Sequence, residues 1–401
     1  MRIAMFTNNY KPYIGGVPVS IEHLAEALRK RGHTVYVFAP SYEGQEEEPF
    51  VVRYPSFPMK IAKAPVPNVL TGMMQRAVKM LEIDVIHVHH PAIVGNVALH
   101  IQKRLGIPVV FTYHTRYEQY LHYIAGLETI ERCTGALEKY LRWFCERCDL
   151  LVAPTPGMQS WLYEKDFGTP VEVMPTGIPA ESFCPDQERA AALRRQYLGD
   201  ADYLFCTVSR LAKEKNLEFQ LRGLACLKAL LAERGKRFRH LIIGDGPDRE
   251  RILGQIVRLG LDKEVVLAGT VDNQEIRHYQ AAADAFLFTS KSETQGIVLL
   301  EAMAVGNPVV AVDASGVRDV VRDGENGYLT GEDEEEWAGC IVRLTEDDAR
   351  RFRMRRTAAE TAKRYSEDEV AGIAEQCYRR VCVNRLGQAE DMRSIPGRYV
   401  I

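Results

Sequence analysis

Short apolar runs alternate along the chain with stretches whose apolar residues recur at helical spacing. The first run is IAMF, followed by a Gly-containing turn, a helix predicted over about residues 20–31, Gly32 as its stop, and the strand TVYVFAP. Glycine at a helix end with β-branched residues just beyond it is the expected boundary signal. VIHVH at 85–89, a helix, and PVVFTYH at 108–114 repeat the unit. Solid apolar strands joined by helices predict parallel sheets covered on both faces. A second series opens near Tyr203 with YLFCTVSR and runs through HLIIGDG, VVLAGTV, AFLFTS and PVVAVDA. Between the two series lies VEVMPTGIP at 171–179, rich in Pro and Gly, where the hinge is expected. The last helical pattern, about 366–384, carries Val370, Ile373, Ala374, Cys377 and Val381 on one face.

The expected fold class is therefore α/β, with two Rossmann-like doubly wound domains facing each other across a cleft. Their expected extents are 1–176, with the helix at 366–384 packing back on it, and 177–365, followed by a loosely held polar tail at 386–401. Ligands of such sheets bind outside the carboxyl ends of the strands, so function is sought just after each strand.

Composition narrows the class. The chain has 401 residues, 46% apolar and 26% charged, which suits two folded domains. A net charge of only -3 argues against a nucleic-acid binder. The start, MRIAMFTNNY, has too short an apolar run for a signal-peptide core and reads as a buried strand. No apolar run approaches the roughly 18 residues of a transmembrane helix. Nine scattered cysteines suit reduced thiols in a cytoplasm. The lone C-x-x-C of Cys145 and Cys148 has no second pair to suggest zinc.

The strongest local signal is SETQGIVLLEAMAVGNPVV, which sets Glu293 on a loop after a strand and Glu301 eight positions on. A helix beginning near Gly296 would put Glu301 just over one turn inside it. The free amides of its first turn, at Ile297 and Val298, suit a diphosphate, and Gly296 lets a ligand approach the backbone. The two carboxylates suit sugar and ribose hydroxyls; the plain alternative is a solvated helix face. Arg210 and Lys215 in SRLAKEKN follow another strand, where two cations could neutralise a diphosphate leaving group. Gly244 in IIGDGP and Val271 at the end of AGTV mark two more strand ends. His87, His89 and His90 cluster, but no carboxylate or cysteine motif accompanies them to complete a metal site.

The ordered set GGVPVSIEHLAEALRKRGHTVYVFAP, IHVHHP, FTYHT, SRLAKEKN, IIGDGP, AGTV, SETQGIVLLEAMAVGNPVV and DGENGYL resembles the family 4 retaining glycosyltransferases over about residues 1–380. The resemblance implies the GT-B fold, a nucleotide-sugar donor, and no required metal or other cofactor. It implies that Glu293 contacts the transferred sugar, Glu301 the ribose, and Arg210 and Lys215 the diphosphate. Gly15 and Gly16 match the glycine loop over the phosphates, and His114 the histidine near the reacting centre.

The acceptor is read from residues 49–81, which hold Arg53, Lys60, Lys63, Arg76 and Lys79, no acidic residue, and many apolar ones. Such a segment suits an anionic membrane face; ordinary packing on the first domain is the alternative. Tyr117, Tyr120, Leu121 and Tyr123 could wall a lipid groove. Both segments resemble bacterial glucosyltransferases acting on diacylglycerol. The resulting expectation is retaining transfer of glucose from UDP-glucose to a diacylglycerol-type lipid, by a cytoplasmic protein peripheral to the membrane. A soluble acceptor, a non-catalytic sugar-nucleotide-binding protein and a nucleotide-sugar epimerase are the alternatives.

Overall fold

The computed structural model describes residues 1–393 except 14, 44, 46, 62–63, 68–70 and 115–126, with backbone alone described at 57–61, 64–67, 127–134, 386 and 388–393. The chain divides into two compact units, one of Met1–Gly177 with the residues from Glu367 onward, the other of Ile178–Ser366.

In the first unit the strands are β1 (Arg2–Phe6), β2 (Thr34–Pro40), β3 (Val51–Tyr54), β4 (Ser56–Ile61), β5 (Ala64–Pro67), β6 (Val85–Val88), β7 (Val109–Thr112), β8 (Leu150–Ala153) and β9 (Val171–Val173). Seven of them form one sheet in the order β3-β2-β1-β6-β7-β8-β9, every pairing parallel, while β4 and β5 make a separate antiparallel pair. Side chains alternate across a strand. Ala4 and Phe6 accordingly join one core with Phe38, Phe111 and Phe144, while Ile3 and Met5 join the other with Val37 and Val110. Burial on both faces is what makes these strands solid apolar runs.

The helix Gly16–Lys30 covers the second face with Ile21 and Leu28. It starts four residues before the pattern suggests, because Pro18 is tolerated in a first turn whose N–H groups lack intrahelical partners. Gly16 is thus the first helical residue, not part of the loop. The terminal helix Glu367–Arg393 adds Val370, Ala374, Tyr378 and Val381 to the same face. It continues well past its last buried apolar position, into the stretch read as a tail.

The second unit has β10 (Tyr203–Val208), β11 (Phe238–Ile243), β12 (Val265–Gly269), β13 (Ala285–Phe288), β14 (Val309–Val312) and β15 (Gly327–Thr330), all parallel, in the order β12-β11-β10-β13-β14-β15. Strand order reverses between β10 and β13 here, and between β1 and β6 in the first unit. Such switch points leave a crevice at the carboxyl ends. The segment read as a hinge begins inside the first sheet, as β9, and the units part after Gly177.

Candidate active site

The switch point of the second unit gathers the predicted charges. Beyond β10, Arg210 is 62% exposed and has Glu214 at 3.8 Å. Lys215 Nζ lies 2.6 Å from Glu293 Oε1, which follows β13, and the two side chains are only 23% and 18% exposed. The buried Ser290 hydroxyl donates to the same carboxylate oxygen at 2.8 Å. Thr289, also buried, donates to the backbone carbonyl of Lys215 at 3.1 Å, tying the loop after β10 to the loop after β13. Asn216, in the left-handed region at φ 54, donates from Nδ2 to Glu332 at 2.7 Å, and Lys291 reaches the other oxygen of that carboxylate at 2.6 Å.

Glycines let these loops close. A Cβ on Gly316 would sit 2.5 Å from the Glu293 carbonyl oxygen, so Gly316 lets the backbone pass directly behind the catalytic candidate. A Cβ on Gly244 would sit 2.1 Å from the Ser209 carbonyl oxygen. Gly244 is therefore explained by strand-end packing whether or not a ligand passes it. Gly296, at φ 70, begins the helix Ile297–Ala304, with Glu301 one turn inside and partly buried. Ile297, Val298 and Val271 pack against one apolar cluster of this unit. Ser290 and Gly316 carried no signal alone, although Ser290 stands three residues before Glu293, a spacing that brings a hydroxyl back to a carboxylate.

In the first unit, β6 and β7 deliver a group of histidines. His87 is buried, with Nδ1 at 2.7 Å from the Tyr378 hydroxyl and Nε2 at 2.6 Å from that of Thr112. His89 Nδ1 lies 2.8 Å from His114 Nε2. His90 Nδ1 accepts the Asn8 backbone N–H at 3.2 Å. Burial pushes His87 and His114 down to about 3 and His90 down to about 4, so the rings are neutral. Just beyond, Ile93 has φ 60 and ψ -85, a rare conformation for a β-branched residue, with Asn8 and Tyr140 donating to the flanking carbonyls of Ala92 and Pro91. Strain of this kind concentrates at functional sites. Gly15 is extended, at φ -179, and a Cβ on it would meet Tyr13 at 3.1 Å. A Cβ on Gly16 would meet nothing within 4 Å. Cys145 and Cys148 are buried free thiols in the core, both pushed up by burial.

The basic segment splits. Arg53 turns inward, 14% exposed, onto Glu48 and the Pro40 carbonyl, so it is not part of a cationic surface. Arg76 and Lys79 are exposed on the helix Thr71–Met80, whose last residue, Met80, is 82% exposed. That helix packs on Asn96–Leu105, which exposes Lys103 and Arg104, and neither helix contains an acidic residue. Lys60 lies in β4 with only its backbone described, while Lys63, Tyr117, Tyr120, Leu121 and Tyr123 lie outside the described residues. Among the described residues no helix is long and apolar enough to cross a membrane.

Residues 14–182 match the profile of Glycosyltransferase Family 4, and residues 190–363 that of Glycosyl transferases group 1. The chain is 32% identical to the alpha-monoglucosyldiacylglycerol synthase of Streptococcus pneumoniae, covering 85% of this chain and 78% of that protein. It is 30% identical to the GDP-mannose-dependent alpha-mannosyltransferase of Mycobacterium tuberculosis, covering 87% and 89%. Sucrose-phosphate synthase from Thermosynechococcus elongatus shares the fold, with a TM-score of 0.78 at 20% identity over 96% of this chain and 99% of that one. With two parallel-sheet α/β domains of GT-B type and these relatives, the chain belongs to the family 4 glycosyltransferases.

Proposed function

We propose that this glycosyltransferase moves glucose from UDP-glucose, with retention of configuration, to a diacylglycerol-type lipid at the cytoplasmic face of a membrane. The observation that carries the donor half is the contact of Lys215 with Glu293 at the switch point of the second sheet, with Arg210 just beyond the same strand as Lys215. In this reading Arg210 and Lys215 neutralise the departing diphosphate, Glu293 accepts hydrogen bonds from the sugar and Glu301 from the ribose. The amides at Ile297 and Val298, beside Gly296, face the phosphates. Gly16, which the fold of its own unit does not require, leaves room for the donor, beside Gly15. With two cations at the leaving group the reading includes no metal requirement, so activity is expected to survive a chelator.

The lipid half is supported by Arg76, Lys79, Lys103 and Arg104 on two packed helices that contain no acidic residue, with exposed Met80, and by likeness to the pneumococcal enzyme. In this reading His114 serves the reacting centre, as the family resemblance implies. The competing reading keeps the chemistry and changes the acceptor to a soluble one. Likeness to the mannosyltransferase makes GDP-mannose the donor to test against UDP-glucose.

The deciding experiment is nucleotide release from a panel of sugar nucleotides, with and without diacylglycerol in anionic liposomes. Release from UDP-glucose only with lipid present is expected. Release indifferent to lipid would end the lipid half, and no release from any donor would end the enzymatic reading.

A further inference from the structure

His89 and His114 stand just beyond neighbouring strands β6 and β7 and share one hydrogen bond, Nδ1 to Nε2 at 2.8 Å. A neutral imidazole has one N–H and one bare nitrogen. Burial keeps both rings neutral: it is the main cause lowering His114 to about 3, ahead of His90 and His87, and it lowers His89 well below its usual value. One proton lies between the two nitrogens, and the ring that owns it sets the tautomer of both.

The far side of His89 decides the ownership. His89 Nε2 is buried and has no hydrogen-bond partner among the described residues. A bare nitrogen there leaves one lone pair unused. A proton there would be a buried donor without an acceptor, the costlier arrangement. His89 therefore carries its proton on Nδ1 and donates it to His114 Nε2, an assignment made from the hydrogen-bond inventory. His114 must then hold its own proton on Nδ1. The His89 ring is backed by His87 with centroids 4.2 Å apart, and His87 is held at both nitrogens by Tyr378 and Thr112.

We propose that His89 is a positioning residue that fixes His114 as the Nδ1–H tautomer, so that His114 acts as a hydrogen-bond donor there and not as a base. The proposal rests on the reading of His114 as a group at the reacting centre. It leaves the acceptor proton to the leaving group. The acceptor O–H breaks as its oxygen bonds the anomeric carbon. The bond from that carbon to the phosphate oxygen breaks with its electron pair going to phosphate, which takes the proton.

The test is nitrogen-15 NMR of the imidazoles in the full-length protein, assigned with His89→Asn and His114→Gln. Both rings are expected as neutral Nδ1–H tautomers at neutral pH. His114 found as Nε2–H, or doubly protonated, overturns the proposal whatever the activity. In the kinetic arm His89→Asn, whose amide donor falls near the lost Nδ1, keeps turnover within a few-fold. His89→Leu lowers kcat by about 10–100-fold with KM for the sugar nucleotide little changed, the usual scale for an outer partner of a working histidine. Equal losses in both variants, each folded by circular dichroism, also overturn it. Wild-type transfer by His114→Ala would remove the reading of His114 instead, leaving the tautomer result to stand alone.

Discussion

Lys215 Nζ and Glu293 Oε1 stand 2.6 Å apart, although the two residues follow different strands and lie 78 positions apart in the chain. Each is thereby oriented and partly shielded before any donor arrives. Lys215→Ala and Glu293→Ala are each expected to lower turnover by roughly two to three powers of ten, the scale for losing one preorganised charge contact. The double variant should lose less than the product of the single losses, since each single change strands the other charge. A double-mutant cycle on kcat/KM with strictly additive terms would show that the pair does not act as a unit.

Arg210 separates binding from stability. It is the more exposed cation of the site, and Glu214 lies 3.8 Å from it. Arg210→Ala should shift unfolding free energy by no more than about 0.5 kcal/mol, as for an ordinary surface change. Turnover should still fall by roughly two powers of ten. Paired urea titrations and initial rates check this; a stability loss matching the activity loss would assign Arg210 to the fold.

The histidines of the first unit predict how acid acts. In the unfolded chain an imidazole takes its proton near pH 6.5, whereas burial in the folded unit holds His87 and His114 near 3 and His90 near 4. Between those values the unfolded state binds more protons, so stability is complete above about 6.5 and declines as pH falls. Each group contributes at most about 1.4 kcal/mol per pH unit. His240, also held near 3, adds the same sense in the second unit. Urea midpoints measured from pH 7.5 to 5 should decline steadily below 6.5, and a flat profile would contradict neutral burial.

The acid-free pair of helices gives a surface prediction. Replacing Arg76, Lys79, Lys103 and Arg104 by Glu should weaken sedimentation with anionic liposomes, at about 1 kcal/mol per cation removed. Binding to zwitterionic liposomes, and transfer to a detergent-dispersed acceptor, should change little. Unaltered binding to anionic vesicles would return these helices to plain packing.

Much of this was readable from the chain because parallel strands buried on both faces are continuous apolar runs, and their loops carry the charged residues. Lys215, Glu293 and Glu301 could be picked out as strand-end and helix-start residues. Their mutual distances could not, since the contact depends on β13 lying beside β10, a long-range pairing with no local signature. Gly316 behind Glu293 and Thr112 beside His87 were illegible for the same reason. Arg53 was misread: counted among surface cations, it is an internal tether to Glu48, which no local count of charge reveals. The long last helix was underestimated because its apolar stripe ends near Val381 while the backbone continues.

The chain leaves the first unit after Gly177 and re-enters it at Glu367, and the two crossings lie together: Ile178 N–H donates to the Tyr365 carbonyl at 2.8 Å, and a Cβ on Gly177 would touch Glu367. Order of synthesis acquires a meaning from this. Domains emerging from the ribosome fold as units. Here the second unit has all its strands while the first still lacks the helix that supplies Tyr378. The domain begun first is completed after the second, and its His87 waits for Tyr378 until the second unit has been made.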